Sequence, residues 1–449
     1  MRSSLERLLQ EEYELFRVLH PSSEAAHHLS KTSLPLGVGS SIQFFKPFPV
    51  TIEKASGPWA YDSDSLRYLD LNMGFGALLV GHRHPQVMAA LHDQLEQGTL
   101  FVAPSELAYA AAARLAERFK HPLWRFTSSG TEATQTAVRL ARAFTRRDKI
   151  IKVEGGYHGH TDTLLHSAKP ALDFVGPLSS PNTVPDSLGI PHGVTKDVVV
   201  VPFNDADALE HALQKHEGEI AAFIVEPVLE NAGIILPQSG YLEACRVLCD
   251  RFGALLIFDE VKTGLTASYN GAGGLFGVVP DITCLAKSIG GGVPIGAFGG
   301  REDVMRLVEG DCVHHGTFNA NPLVLRACIA TLDVCTKAAL EETHRLNTEF
   351  SRSVDALLEE IRDRVPTVVQ TIGSKGSVTF SSAVPRSYRD WKNSDFLAAE
   401  LFWLWSTNRS VLTPPGLDEQ WLVSLAHTED SLDTYLSQLS DLVSVIKQL

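Results

Sequence analysis

Two stretches decide the fold, Ala254-Leu255-Leu256-Ile257-Phe258-Asp259-Glu260-Val261 and Asp281-Ile282-Thr283-Cys284-Leu285-Ala286-Lys287-Ser288. The first is an apolar run that ends in a carboxylate, and the second is an apolar run that ends in a lysine. Uninterrupted apolar runs of this length are typical of strands that are buried on both faces of a parallel sheet. The segment between Asp259 and Lys287 leaves room for a loop and the second strand. The two stretches therefore predict neighbouring strands whose ends present an acid and a lysine.

An acid and a lysine in this arrangement suit one cofactor. Pyridoxal phosphate needs a lysine for its Schiff base and a carboxylate beside its pyridinium nitrogen. A lysine in apolar surroundings also loses its proton more easily, which suits a nucleophile and base. The alternatives are an ordinary turn or capping acid at Asp259 and a surface lysine at Lys287. The pair alone leaves both interpretations open.

The middle of the chain predicts an α/β fold. From about residue 84, amphipathic helices alternate with short apolar strands, which indicates a mostly parallel sheet covered on both faces. The predicted strands besides the one at 282–287 are 124–127, 149–153, 198–202, 223–226 and 255–258.

The two ends of the chain have a different pattern of predicted helices and strands. Residues 5–18 and 22–31 read as helices, residues 50–55 and 59–62 as a hairpin, and residues 66–71 as another short strand. From about residue 322 a long helix leads into a helix-rich tail with a few strands. We predict an N-terminal segment (1–75) that contributes to a small α+β domain, a large cofactor-binding domain (76–320) and the remainder of the small domain (321–449).

Composition narrows the functional class. The chain has 449 residues, 44% of them hydrophobic and 20% charged, with a formal net charge of −14. These values are typical of a globular protein, and the acidic balance argues against a nucleic-acid partner. The N-terminus lacks a signal peptide's apolar run and no stretch has the length of a membrane span, so we expect a cytoplasmic protein without a membrane partner. The six cysteines form no CxxC pair, so we expect buried thiols and no metal site.

Three further motifs carry polar or aromatic groups at predicted strand or helix ends. Phe126-Thr127-Ser128-Ser129-Gly130-Thr131-Glu132 leads from a strand into a helix, which suits either a phosphate site or an ordinary capping box. In Gly155-Gly156-Tyr157-His158-Gly159-His160 the tyrosine could stack on a flat ring, and the histidines could instead be hydrogen-bonded within a turn. In His314-His315-Gly316-Thr317 the threonine could offer its hydroxyl to phosphate or cap the next helix.

The order of these motifs resembles the order found in the class III aminotransferases of fold type I. The likeness runs from about residue 34 to the C-terminus and is strongest to glutamate-1-semialdehyde 2,1-aminomutases and to amine and β-amino acid transaminases. It implies a large domain with a seven-stranded sheet and a smaller α+β domain. Further motifs that carry the likeness are Gly81-His82-Arg83-His84-Pro85, Val225-Glu226-Pro227-Val228, Leu285-Ala286-Lys287-Ser288-Ile289-Gly290-Gly291-Gly292 and Ser424-Leu425-Ala426-His427-Thr428.

The resemblance also implies roles for individual residues. Lys287 would hold pyridoxal 5'-phosphate as a Schiff base and carry the proton, and Asp259 would pair with the pyridinium nitrogen. Tyr157 and Val261 would pack on the two faces of the ring. Thr317 would reach the phosphate of a neighbouring subunit, which implies a homodimer with shared active sites. The other residues implied at the cofactor are Ser129, Gly130 and Thr131 at the phosphate, together with His158 and Glu226.

One position departs from the family pattern. In the aminomutases the segment resembling 35–43 ends in an arginine that binds the substrate carboxylate, whereas this chain has Gln43, and a neutral amide cannot replace that charge-assisted pair. Glu419 matches the acid that partners the arginine. Phe75, with Phe44 and Phe45, suggests an apolar substrate pocket, although these rings could equally be core. Arg409 is a candidate to hold an acceptor carboxylate.

These observations predict a transaminase that moves an amino group from an amine to an oxo acceptor such as pyruvate. The amine would be bulky or apolar and would lack the usual α-carboxylate contact. The alternatives are an aminomutase of the glutamate-1-semialdehyde type or a racemase, which use the same cofactor without a net second substrate. A non-catalytic binding protein on this scaffold would be expected to have lost Lys287 or Asp259, and both are present.

Overall fold

The computed structural model describes residues 1–416 and 420–449. Its strands, in chain order, are β1 (Ile52–Ser56), β2 (Trp59–Asp62), β3 (Arg67–Asp70), β4 (Leu123–Thr127), β5 (Lys149–Val153), β6 (Val198–Val201), β7 (Ile220–Val225), β8 (Leu255–Asp259), β9 (Ile282–Leu285), β10 (Gly296–Gly300), β11 (Val368–Ile372), β12 (Lys375–Thr379), β13 (Val411–Leu412) and β14 (Trp421–Leu422).

The α-helices in chain order are α1 (Arg2–Leu19), α2 (Pro21–Ser30), α3 (Met73–Gly76), α4 (Pro85–Gln97), α5 (Glu106–Phe119), α6 (Gly130–Thr145), α7 (His192–Thr195), α8 (Ala206–Lys215), α9 (Tyr241–Phe252), α10 (Gly264–Ala267), α11 (Gly271–Phe276), α12 (Glu302–Met305), α13 (Pro322–Val334), α14 (Lys337–Glu359), α15 (Tyr388–Lys392), α16 (Phe396–Asn408) and α17 (Glu429–Gln448). Among the described residues, no helix is both long and apolar enough to cross a lipid bilayer.

A seven-stranded sheet in the order β4-β10-β9-β8-β7-β5-β6 forms the centre of the fold. The strands from β9 to β6 run parallel, and β10 runs antiparallel to both β4 and β9. Every residue of β7, β8 and β9 is buried, as expected for strands covered on both faces. The predicted α/β class and mostly parallel sheet are therefore confirmed.

The apolar side chains of the central strands alternate between two cores, because successive residues of a strand point to opposite faces. One core packs against α6 and includes Ala222, Ile224, Leu255 and Ile257. The other packs against α8 and α9 and includes Phe223, Val225, Leu256 and Phe258. Cys245 and Cys249 of α9 belong to this second core, and all six cysteines are buried free thiols.

The sequence does not predict strand β10, whose residues are Gly-Ala-Phe-Gly-Gly. Such a composition normally weakens a strand. Here the glycines permit close approach: a Cβ on Gly299 would lie 2.3 Å from Trp124 Cδ2, and a Cβ on Gly296 would lie 2.2 Å from the Ser129 carbonyl oxygen. The missing side chains therefore let β10 fit between β4 and β9.

The two chain ends build a second sheet together. Strands β1, β2 and β3 form antiparallel pairs, and β13 from the C-terminal part adds to β3 in parallel, with Val411 opposite Leu69. Helix α1 packs on α16, where Arg409 and Glu12 form an ion pair. A third sheet has the order β11-β12-β14. The boundaries predicted at residues 75 and 320 stay predictions.

Candidate active site

The central sheet brings Asp259 and Lys287 into one cavity. Asp259 is the last residue of β8 and stands opposite Cys284 of β9, and Lys287 follows β9 by two residues. The carboxyl ends of parallel strands meet at one edge of a sheet, which is where ligands of open α/β sheets bind. Both side chains line a cavity of about 180 Å³, which we call the lysine cavity. The first expectation from the sequence, that these two groups lie together, agrees with this geometry.

The Asp259 carboxylate is buried and held in one orientation. Its Oδ2 accepts a hydrogen bond from His158 Nδ1 at 2.8 Å, and its Oδ1 accepts one from the Val261 backbone N–H at 3.0 Å. Burial lowers the pKa of His158, and the neighbouring Asp259 carboxylate opposes this effect. A neutral imidazole that donates from Nδ1 satisfies this geometry. The arrangement leaves a fixed negative charge at the bottom of the cavity.

Lys287 occupies a strained backbone position. Its φ is +45°, in the left-handed region that non-glycine residues adopt at a cost of about 1 kcal/mol or more. The strain falls at the point where β9 gives way to a short 3₁₀ turn, Lys287–Ile289. Non-glycine residues in this region are concentrated at functional sites, since the surrounding structure must enforce them. The backbone thus turns at the residue that lines the cavity.

The start of α6 forms another wall of the lysine cavity. Ser129 caps this helix by accepting from the Glu132 N–H at 3.2 Å, and the Glu132 carboxylate accepts from the Ser128 N–H at 2.6 Å. Gly130 and Thr131 line the cavity, and the first N–H groups of a helix have no acceptor within the helix. Capping and anion binding are therefore compatible here, because the cap uses the Ser129 hydroxyl and leaves the helix terminus facing the cavity.

Gly130 allows the helix to start unusually close to Val261. A Cβ at this position would lie 2.9 Å from Val261 Cγ2 and 3.4 Å from the Ala286 side chain. Any larger residue would push the helix terminus away from the ends of β8 and β9. The glycine in the Ser-Gly-Thr motif thus brings the helix N-terminus and Val261 to the same cavity.

Tyr157 and Val261 both line the lysine cavity. The Tyr157 N–H donates to Glu226 Oε1 at 3.0 Å, which fixes the loop that carries the ring. Lys152, completely buried in β5, donates to the carbonyl oxygens of Gly156 at 2.7 Å and of His166. Burial lowers the pKa of Lys152 to about 8. The loop that carries Tyr157 is therefore fixed by the Lys152 ammonium and by the Glu226 carboxylate.

Glu226 is a buried acid in the cavity wall. Besides Tyr157, its carboxylate accepts from Asn231 Nδ2 at 2.8 Å and from the Glu230 N–H at 3.2 Å. Burial raises its pKa to about 7, while the nearby Lys262 ammonium opposes the rise. Its role in this geometry is to order the loops that surround the cavity.

Several polar residues beside this wall could not be assigned to the site from the sequence. Lys262 lines the cavity, and Lys375 donates to Glu230 Oε2 at 2.6 Å and to the Lys262 carbonyl oxygen at 2.8 Å. Gln420 donates to the carbonyl oxygen of Gly233 at 2.8 Å. One signal in the sequence pointed to these residues: Lys262 is a lysine that directly follows Asp259-Glu260-Val261, in a stretch whose other residues are typical of a buried segment.

Phe75 lies in a second pocket of about 410 Å³, which we call the aromatic pocket. It belongs to a left-handed turn in which Met73, Gly74, Phe75 and Gly76 all have positive φ. The Asn72 side chain caps the turn by accepting from the Phe75 N–H at 2.8 Å. The other residues that line this pocket include Phe44, Phe45, Phe396, Trp403, Lys46 and Lys169.

The aromatic pocket adjoins the lysine cavity through one buried side chain. A Cβ on Gly76 would lie 3.1 Å from Lys375 Cε, and the Lys375 ammonium contacts the Lys262 carbonyl oxygen. The turn that carries Phe75 thus approaches Lys375, which in turn contacts Lys262 in the cavity wall.

The two other predicted substrate contacts, Gln43 and Glu419, have different outcomes. Gln43 lies on an exposed turn, where its side-chain oxygen accepts from the Ser40 N–H at 3.1 Å, and its neighbours Ser41, Ile42 and Phe44 line the aromatic pocket. Its proposed contact with substrate stays a prediction. Glu419 lies outside the described residues.

Arg409 is not placed to bind an acceptor. Its guanidinium pairs with both carboxylate oxygens of Glu12, at 2.9 and 3.0 Å, and lies over the Trp405 ring. The prediction was wrong because helix α1, far away in sequence, supplies a bidentate partner for this arginine.

Thr317 lies away from the lysine cavity of its own chain. It is exposed and lines a separate surface cavity with His314, Asn319 and Arg125. This position fits the expectation that it acts on a neighbouring subunit, and that role stays a prediction. Within the part of the chain that the structure describes, no group of His, Cys, Asp or Glu could hold a metal ion.

The residues that line the lysine cavity fit pyridoxal phosphate. A lysine, a buried carboxylate with a fixed orientation, an aromatic ring, a branched apolar side chain and a helix N-terminus all line the same space. These are the groups that this cofactor requires for its aldehyde, its ring nitrogen, its ring faces and its phosphate.

Known proteins resemble this chain over almost its whole length. The family model for class-III aminotransferases matches residues 43–399. A glutamate-1-semialdehyde 2,1-aminomutase from Methanocella arvoryzae is 38% identical over 432 residues, which covers 93% of this chain and 97% of that protein.

Two solved structures share the fold. A glutamate-1-semialdehyde aminomutase from Pseudomonas aeruginosa, in complex with PMP, superposes with a TM-score of 0.90 and 28% identity and covers 99% of both chains. An omega-transaminase from Sphaerobacter thermophilus superposes with a TM-score of 0.88 and 29% identity, covering 95% of this chain and 98% of that one. The chain therefore belongs to the class-III aminotransferase family and is an enzyme that depends on pyridoxal phosphate.

Proposed function

We propose that the protein is a transaminase that moves an amino group from an apolar amine to an oxo acceptor such as pyruvate. One observation carries the choice of donor: the pocket beside the lysine cavity is lined by Phe44, Phe45, Phe75, Phe396 and Trp403. Such a surface favours an apolar substituent on the carbon that bears the amino group. Among the described residues, no arginine lines either the lysine cavity or the aromatic pocket.

Lys287 is the proposed acid and base. When bound, pyridoxal phosphate supplies an aldehyde carbon for the amino group and a ring that stabilises negative charge on the neighbouring substrate carbon. Lys287 Nζ would accept the proton from that carbon and hold it for its return. The strained backbone at Lys287 holds the side chain at the cavity.

Asp259 is proposed to hold a proton at the ring nitrogen of the cofactor. A carboxylate in a buried site favours the charged form of a neighbouring base, so the nitrogen stays protonated. The hydrogen bonds from His158 and from the Val261 N–H prevent the carboxylate from turning away. His158 therefore acts through Asp259 as a positioning residue.

The phosphate of the cofactor is proposed to bind at the start of α6. Gly130 and Thr131 line the cavity there, and backbone N–H groups at a helix N-terminus attract anions. Tyr157 and Val261 would enclose the ring and exclude water from the reacting atoms. Glu226 would support this enclosure by fixing the Tyr157 backbone.

The active unit is proposed to be a homodimer. Thr317 lies in an exposed loop and does not line the lysine cavity of its own chain. Phe318 of the same loop is exposed, as is Tyr109 of α5, which lines the same surface cavity as Thr317. Exposed apolar groups of this kind mark interaction surfaces. A second chain that covers them could bring its Thr317 to the phosphate.

An aminomutase is the second candidate. The aminomutase from Methanocella arvoryzae, 38% identical to this chain, favours it. The two functions differ in whether the amino group leaves the molecule. The holoenzyme is therefore incubated with 1-phenylethylamine, with and without pyruvate, and acetophenone and alanine are measured. Sustained formation of both products only with pyruvate supports the transaminase, whereas conversion of glutamate 1-semialdehyde without any acceptor, and no amine-dependent product, supports the aminomutase.

A further inference from the structure

The turn that carries Phe75 is held in a conformation that its residues do not favour. Four successive residues lie in the left-handed region, with φ values of +47° at Met73, +62° at Gly74, +54° at Phe75 and +86° at Gly76. The side chains of Met73 and Phe75 disfavour this region, because Cβ then approaches the following carbonyl oxygen. Such a conformation persists where neighbouring groups enforce it, and it is concentrated at ligand-binding sites. The contacts that enforce this turn therefore bear on how Phe75 meets a substrate.

Two side chains fix the backbone of the turn. Asp70, the last residue of β3, accepts with Oδ1 from the Asn72 N–H at 2.9 Å and from the Met73 N–H at 2.8 Å. Asn72 in turn accepts with Oδ1 from the Phe75 N–H at 2.8 Å. The Met73 side chain is fully buried, whereas the Phe75 ring is half-buried and lines the aromatic pocket. Asp70 therefore sets the start of the turn, and Asn72 sets the residue that faces the pocket.

The surrounding structure fixes Asp70 in its place. Its Oδ2 lies 2.7 Å from His82 Nε2. The His82 backbone exchanges two hydrogen bonds of 2.9 Å with the backbone of Gly57, which lies between β1 and β2. Asp70 thus belongs to a frame built by the N-terminal strands. The side-chain oxygen of Asn72 connects that frame to the Phe75 backbone.

The direction of the Phe75 ring matters more for one kind of amine than for another. An aromatic substituent packs best against a ring in offset-stacked or edge-to-face arrangements, so its binding depends on the orientation of that ring. A small aliphatic substituent is held by the removal of apolar surface from water, which has no preferred direction. A change in the turn at Phe75 therefore weakens the binding of an aromatic amine more than that of an aliphatic amine.

We propose that Asn72 determines the preference of the enzyme for aromatic over aliphatic amine donors. This inference rests on the proposed transaminase function. Asn72 is a positioning residue, since its side-chain oxygen holds the Phe75 N–H and the Phe75 ring is the group that faces the amine. The role concerns the binding of the donor, so the proton transfer at Lys287 should be little affected.

The test compares two donors, 1-phenylethylamine and 2-aminobutane, with pyruvate as acceptor. In the Asn72→Ala holoenzyme we expect KM for 1-phenylethylamine to rise about three- to tenfold, the loss typical of one neutral hydrogen bond. KM for 2-aminobutane and both kcat values should change less than about twofold. Asn72→Ser should largely restore KM, because a serine hydroxyl can also accept the N–H three residues later. Equal changes in KM for the two donors, or no change for either, overturn the proposal.

Asp205→Ala is the matched control for the loss of a cap. Asp205 accepts from the Ala208 N–H at 2.8 Å at the start of α8, and it lines neither the lysine cavity nor the aromatic pocket. The variant loses a side-chain acceptor at the same spacing and should leave KM for both donors as in wild type. A rise in KM for 1-phenylethylamine that is equal in Asp205→Ala and Asn72→Ala would reflect general destabilisation and would overturn the proposal.

A double-mutant cycle shows whether Asn72 acts through Phe75. Once Phe75→Ala has removed the ring, the position of the turn can no longer change an aromatic contact, so the two substitutions should not be additive. We expect KM for 1-phenylethylamine to agree within about twofold in Phe75→Ala and in the double variant Phe75→Ala/Asn72→Ala. Losses that multiply in the double variant overturn the proposal.

A binding measurement gives a readout that needs no turnover. The alcohol 1-phenylethanol has the aromatic ring and no amino group, and its dissociation constant is measured by quenching of tryptophan fluorescence, since Trp403 lines the aromatic pocket. We expect this constant to rise about three- to tenfold in Asn72→Ala and to be largely restored in Asn72→Ser. Binding that is equal in wild type and Asn72→Ala overturns the proposal.

A single-turnover experiment separates this inference from the proposed function. The wild-type holoenzyme is mixed with 1-phenylethylamine and no acceptor. One equivalent of acetophenone per active site supports the donor half of the transamination, and equal KM changes in Asn72→Ala would then overturn the role of Asn72 alone. No acetophenone would instead overturn the proposed function and this inference with it.

Discussion

His158 Nδ1 lies 2.8 Å from Asp259 Oδ2, and both side chains are almost completely buried at the carboxyl end of the central sheet. The pair joins the loop after β5 to the last residue of β8. Because of this pair, the Asp259 carboxylate receives a directed hydrogen bond in a site from which water is largely excluded. Removal of that donor would leave Asp259 Oδ2 without its hydrogen bond from His158, while Oδ1 would still accept from the Val261 N–H.

We expect His158→Ala to lower kcat/KM of the holoenzyme on the order of 10- to 100-fold, because a hydrogen bond to a buried charge is lost. His158→Asn should recover part of the activity, since its amide can donate to Asp259. Steady-state rates and the dissociation constant of pyridoxal phosphate check this. Equal activities for wild type and His158→Ala would refute the positioning role.

Asp259→Asn tests the charge and leaves the shape nearly intact. The amide cannot hold a proton at the ring nitrogen of the cofactor, so kcat should fall about 10²- to 10³-fold, a typical cost of losing one preorganised electrostatic group. The proposed phosphate site at the start of α6 is not altered by this substitution, so bound cofactor should still be detected by absorbance. Asp303→Asn, at an exposed ion pair with Arg301, is the matched control. A fall of less than threefold in Asp259→Asn would speak against the assigned role.

Phe75→Ala tests the aromatic pocket. We expect KM for 1-phenylethylamine to rise about tenfold and KM for 2-aminobutane to change little, because only the aromatic donor loses its ring contact. The positive φ of residue 75 is no worse for alanine than for phenylalanine, so folding should be preserved. Phe174→Ala, an exposed phenylalanine elsewhere, is the control. Equal changes for both amines would show that Phe75 only packs.

Acid should destabilise the fold through buried histidines. Burial lowers the pKa of His427 and of His121 to about 4 each, against an ordinary value near 6.5. Between these values the unfolded chain binds more protons than the folded one, so the free energy of unfolding falls as pH falls from 6.5 towards 4. We expect a loss of roughly 2 kcal/mol per histidine between pH 7.5 and pH 5.

Urea unfolding of wild type and His427→Gln at the two pH values measures this effect. The variant should show a smaller pH dependence, by the contribution of one histidine. His192→Gln, at an exposed position, should behave like wild type. A pH dependence that is the same in His427→Gln and wild type would contradict the assignment.

The sequence predicts the central sheet well because its strands are apolar throughout and are separated by amphipathic helices. Strand β10 escapes detection, since its glycines are explained by close contacts with Trp124, Ser129 and Asp281, which lie elsewhere in the chain. The same physical reason explains the error at Arg409. Its partner Glu12 lies 397 residues away, in the first helix, and no local pattern records that contact.

In the candidate site, too, local patterns can be predicted and long-range contacts cannot. Asp259, Lys287 and the Ser-Gly-Thr motif are recognisable because each lies at the end of a predicted strand or start of a helix. The ion pair of Lys375 with Glu230, which supports Lys262, joins residues 145 positions apart and leaves no periodic signal. Local motifs therefore predict the cofactor, whereas the long-range contacts that order the cavity wall emerge only when the chain is folded.

The most direct test of the central claim is to identify the lysine that bonds to the cofactor. Two lysines line the cavity, Lys287 and Lys262. The holoenzyme is reduced with borohydride, which converts a C=N bond between a lysine and the cofactor into a stable amine, and the peptides are analysed by mass spectrometry. We predict that the added mass is found on Lys287 and is lost in Lys287→Ala. The added mass on Lys262, or on no lysine of this cavity, would contradict the account.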